Sequence, residues 1–72
     1  MNKIKATQKL RVIFHDAEGI TLNLRVKDIQ KVLTGRHQVA VLMAVENFEI
    51  ATLPCTGISA RLNGVAVQVD ML

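Results

Sequence analysis

The one thiol of the chain, Cys55, follows Pro54 in a break between apolar segments. A thiolate nucleophile needs a base within hydrogen-bond reach, and neither His15 nor His37 stands in a recognised catalytic spacing to it. One cysteine and two histidines so dispersed also lack the close-set ligand pairs of a zinc site. The six carboxylates are scattered, with no pair set by spacing for general acid and base work. Gly19, Gly35, Gly57 and Gly64 each stand singly, so no glycine-rich loop is set up to cradle a phosphate. These residue types predict a protein with no catalytic residues, metal ion or cofactor. Cys55 reads as a packed small side chain, and His37, beside Arg36, as a cation at the C-terminal end of a short helical turn.

Charge is the chemistry that remains. Residues 1–37 carry eight lysines and arginines against three carboxylates, whereas residues 38–72 carry one arginine against three. The asymmetry points to an acidic partner for the first half or to head-to-tail contacts between copies. Net charge is only +3, and Phe14 and Phe48 are the sole aromatics, which argues against the base-stacking platforms of single-strand binders. A lone cysteine forms no internal disulfide, and the basic residues 1–9 lead into alternation, not into the continuous apolar core of a signal peptide. The longest apolar run, residues 39–45, is far short of the roughly 20 residues of a membrane-spanning helix. A cytoplasmic location without a membrane partner is expected.

Strands must present these charges. Over residues 10–15 and 20–27 the even positions are apolar, and every odd position of the second run is polar, so one face of each strand enters a core. Asp16-Ala17-Glu18-Gly19 between them has a turn-initiating Asp and a Gly placed for a left-handed residue, the pattern of a type I turn closed by a Gly bulge. Pairing Asp16 with Ile20 keeps the even residues on one face and sets Phe14 opposite Leu22, Val12 opposite Leu24 and Leu10 opposite Val26. On the other face it sets His15 against Thr21, Ile13 against Asn23, Arg11 against Arg25 and Lys9 against Lys27. Two like-charge pairs then face each other, each costing up to about a few tenths of a kcal/mol. Either an anion lies over them or the long side chains splay into solvent.

Beyond Lys27 the apolar spacing changes to 3.6 residues. Asp28 suits an N-cap, Ile29, Val32 and Leu33 share a face, and Gly35 follows, which predicts one or two helical turns. Residues 38–45 are apolar on both faces, the mark of a strand covered on both sides or lying at a subunit seam, although Leu42-Met43-Ala44 tolerates helix. A further strand is expected over residues 48–53 and a break over 54–57. In the second hairpin Ile58, Ala60 and Leu62 alternate into Asn63-Gly64, the preferred type I′ pair, and Val65, Val67, Val69 and Met71 alternate out of it. Leu62 then pairs with Val65, Ala60 with Val67 and Ile58 with Val69. The whole predicts a single domain, residues 1–72, that is mainly β. It would be a small antiparallel barrel or sandwich of about five to six short strands with one short helical turn, preceded by a basic, flexible N-terminal arm over residues 1–8. An α+β, β-grasp-like sheet with one helix is the alternative if residues 28–45 form a real helix.

Half of the residues are apolar, while area scaling lets a chain of this mass bury only about 60% of its surface. A homo-oligomer would cover the surplus, with Val39, Val41, Met43, Val45, Phe48 and Ile50 as the expected seam. The expected function is a non-enzymatic homo-oligomeric binding module. Its basic outer face, Lys9, Arg11, Arg25 and Lys27 with Asn23, would engage an anionic partner, nucleic acid foremost. A two-stranded ribbon fits the DNA major groove, with Lys and Arg on phosphates and Asn23 or Arg25 at base edges. Two alternatives stand beside it. One is a protein–protein interaction or regulatory subunit that uses apolar strand surfaces; the other is an oligomer that binds a small anionic ligand such as a nucleotide.

Overall fold

Alternating side chains build one sheet. The computed structural model describes residues 4–16, 19–50 and 58–72. Strands β1 (Lys9–Phe14), β2 (Thr21–Arg25), β3 (Ile58–Leu62) and β4 (Val65–Met71) form an antiparallel sheet of order β2-β1-β4-β3. Between the hairpins lie a 3-10 turn at Val26–Asp28, the four-residue helix α1 (Ile29–Val32) and the 16-residue helix α2 (Gly35–Ile50). Among the described residues the fold is therefore mixed α+β, an open four-stranded sheet with two helices, and not a closed barrel or sandwich of five to six strands.

The correction comes from residues 38–45, which are helical. The spacing decides the matter: Ala40, Val41, Ala44, Val45 and Phe48 recur at i, i+1, i+4, i+5 and i+8, and all five are buried, forming one stripe of a helix. The small side chains of Ala40 and Ala44 let α2 lie close to β3 and β4, over which it packs. Leu42, Met43, Ala44 and Glu46 add good helix propensity. Where apolar residues occupy both parities, period and length separate helix from strand. The strand expected over residues 48–53 fails at its start for the same reason, because residues 48–50 end α2; residues 51–57, including Pro54, Cys55 and Gly57, lie outside the described residues.

The even residues of the first hairpin enter the core, as their alternation requires. Leu10, Val12, Phe14 and Leu24 share one buried cluster with Val65, Val67 and Val69 of β4 and with Ile29 and Leu33. Gln38 Nε2 donates to Leu33 O at 2.8 Å and to Gln30 O at 3.3 Å, tying the end of α1 to α2. Asp28 precedes α1 as expected but makes no side-chain capping bond. No helix among the described residues is long and apolar enough to cross a membrane.

The second hairpin has the expected register, with Leu62 opposite Val65, Ala60 opposite Val67 and Ile58 opposite Val69. Asn63 at φ 50° and Gly64 at φ 75° adopt the left-handed conformations that a type I′ turn demands. The first hairpin keeps its faces but slides by two residues. Val12 faces Leu22, Leu10 faces Leu24, Arg11 faces Asn23 and Lys9 faces Arg25. The other edge of β1 continues into β4, where His15 N donates to Ala66 O at 2.8 Å and Asp16 Oδ1 accepts from Ala66 N at 3.3 Å. The end of β1 is thereby committed to β4, and Phe14 N, not Asp16, binds Ile20 O, at 2.8 Å. The turn itself retains the bond from Gly19 N to Asp16 O at 3.2 Å, with Gly19 at φ 59°. In the stretch expected as an arm, Gln8 O accepts from Val26 N at 3.0 Å and Ala6 O from Lys27 N at 2.9 Å, so residues 6–8 are fastened beside the end of β2.

Candidate anion-binding surface

Odd-numbered residues of β1 and β2 point away from the helices. Lys9, Arg11, Asn23 and Arg25 are all exposed there, and Lys9 stands directly opposite Arg25. Lys27 follows in the 3-10 turn, where its bond to Ala6 brings the exposed Lys5 to the same end of the sheet. Gln8 Nε2 fastens this corner by donating to Lys9 O at 3.0 Å and Leu72 O at 2.9 Å. Lys5, Lys9, Arg25 and Lys27 thus gather at the end remote from the Asp16–Gly19 turn. Among the described residues the ion pairs are Arg11 with Asp70 and Arg61 with Asp16, so none of the four corner cations takes part in one.

Arg11 has a different setting from the one expected. It faces Asn23 on one side and Asp70 on the other, and its Nε lies 3.5 Å from Asp70 Oδ2. Asp70 is only 13% exposed and accepts two further bonds from Gln68 Nε2 at 3.3 and 3.2 Å. Gln68 Oε1 in turn lies 3.2 Å from His15 Nε2. The Arg11–Arg25 pair therefore does not form, and the Lys9–Lys27 pair is replaced by Lys9–Arg25. The outward parity of Asp70 in β4 was readable from its strand, but its neighbour depends on strand order, which spacing within one hairpin does not reveal.

The expected seam divides. Val41, Val45 and Phe48 are buried on the core-facing side of α2, so they are not free to meet a second chain. Val39 and Met43 remain on the surface, 42% and 39% exposed and one helical turn apart. The side chain of Ile50 lies outside the described residues.

A second feature, absent from the sequence reading, is a cleft of 440 Å³ between the turn end of the first hairpin and the beginning of α2. Phe14, Ile20, Leu22, Val32 and Leu33 form its apolar wall, and Asp16, Thr34, Arg36 and His37 supply its polar groups. His37 was expected to end a helix but stands in the first turn of α2, edge-on to Phe14 with ring centroids 5.0 Å apart. Gly35, at φ 59°, begins the second helix rather than closing the first. No group of three or more metal-ligating side chains gathers among the described residues. Neither a family model, a curated protein nor a solved structure matches the chain.

Proposed function

We propose that this protein is a non-enzymatic binding module that holds nucleic acid by its phosphate backbone, at the corner formed by Lys5, Lys9, Arg25 and Lys27. The observation that carries this reading is the exposed Lys9–Arg25 cross-strand pair, which has no carboxylate partner among the described residues. Like charges directly opposite destabilise a sheet, whereas a phosphate between them receives two charge-assisted contacts. The mode differs from a ribbon inserted in the major groove. Strand β1 is central, and four strands spaced about 4.8 Å apart span about 14 Å before side chains are added, more than the roughly 12 Å width of that groove. The corner therefore rides on the backbone, and binding is independent of sequence and sensitive to salt.

About four neutralised phosphates give a slope of log K against log salt near −3.6 on duplex DNA, or about a 150-fold loss between roughly 50 and 200 mM salt. Fluorescence anisotropy with a mixed-sequence duplex at those two concentrations tests this; an affinity indifferent to salt contradicts it. Asp70→Asn frees Arg11 for the ligand, and the expected result is tighter binding with a slope steeper by about one. An unchanged slope would show that Arg11 lies outside the contact. Exposure of Val39 and Met43 on one side of α2 supports a second copy of the chain as a further partner, which would double the basic corner. Light scattering on the same sample should then give twice the 7.9 kDa chain mass; a monomer mass rejects the dimer.

A further inference from the structure

We infer that the cleft between the first hairpin and α2 binds a small amphiphilic carboxylate, an aliphatic or aromatic acid, at a site separate from the basic corner. Its volume of 440 Å³ falls within the range of small-molecule sites. Phe14 and Leu33, both buried, contribute to its apolar wall, and Ile20 and Val32 line it from the hairpin and from α1 while 51% and 53% exposed. One exposed aliphatic residue is ordinary. Two that line a single cleft, continuous with buried apolar side chains, form a slot whose wall an alkyl chain or ring would remove from water.

The polar groups choose the head of the ligand. Asp16 is already engaged, since Oδ1 accepts from Ala66 N at 3.3 Å and lies 3.9 Å from Arg61 Nη1. Arg36 has no carboxylate within ion-pair distance among the described residues; the bond at this residue, from Asn63 Nδ2 at 3.5 Å, goes to its carbonyl oxygen. Thr34 and His37 add further hydrogen-bonding groups to the same lining. A carboxylate matches the guanidinium with two parallel bonds, a cation is repelled by it, and a dianionic phosphate would suffer more from Asp16 in the same lining.

Titration of the isotope-labelled protein with sodium octanoate, 1-octanol and octylammonium, followed by amide NMR shifts, tests the assignment with one alkyl chain and three heads. Octanoate should give saturable shifts at Phe14, Leu22 and residues 32–37, with 1-octanol about tenfold weaker, the worth of a charge-assisted bond, and octylammonium weaker still. Arg36→Gln should lower octanoate affinity to that of 1-octanol and leave 1-octanol unchanged. Val32→Glu, at a half-exposed position, should weaken both, whereas Lys9→Glu with Arg25→Glu should weaken neither. Equal binding of the three probes, shifts centred on the basic corner, unsaturable shifts, or full octanoate affinity in Arg36→Gln would each overturn the inference.

Discussion

Reversing the corner pair, Lys9→Glu with Arg25→Glu, is expected to abolish nucleic-acid binding, lowering affinity at least about 100-fold at low salt while the fold persists. Two of about four phosphate contacts disappear and two repulsions replace them, which removes nearly all of the counterion-release free energy. Stability should change little, because both side chains are exposed and one like-charge cross-strand pair is exchanged for another. Arg61→Gln, on the opposite edge strand, should leave binding intact. Anisotropy titration and thermal unfolding on the same samples read both effects. A folded double variant that binds as tightly as the parent contradicts the corner.

Phe48→Ala is the second large effect, and it acts on stability. Phe48 is 3% exposed on the core-facing side of α2, and truncating a buried Phe costs about 3–5 kcal/mol. A chain of this length has about 4–11 kcal/mol in total, so the variant should lose most of its helical circular dichroism in mild denaturant or lack it altogether. Met43→Ala, on the exposed side of the same helix, should shift stability by no more than about 0.5 kcal/mol. Had residues 38–45 and 48–53 been strands at a subunit seam, Phe48→Ala would change oligomer mass and spare the unfolding midpoint. Denaturant titration with light scattering separates the two, and a parent-like midpoint for Phe48→Ala contradicts the helical core.

What was legible followed from local chemistry. Asn63-Gly64 specifies both a turn type and a loop length, so the register of Ile58, Ala60 and Leu62 against β4 could be read directly. The Asp16–Gly19 turn was also readable, but its register was not: Asp16 and His15 are taken by Ala66, fifty residues away along the chain. The same long-range pairing put Asp70 beside Arg11. Residues 38–45 misled because Val39, Val41 and Val45 favour strand on propensity, while Ala40, Ala44 and Phe48 together carry the helical period. The cleft was invisible for a related reason, since its wall comes from two elements whose meeting depends on the packing of α1 against the hairpin.

Phosphate backbone seated on the Lys5, Lys9, Arg25 and Lys27 corner would show itself in amide NMR shifts of the labelled protein on adding an unlabelled duplex. Shifts confined to residues 5–11 and 23–27, fading between roughly 50 and 200 mM salt, are expected. Shifts centred instead on Val39 and Met43 or on the cleft, or none at low salt, would contradict it.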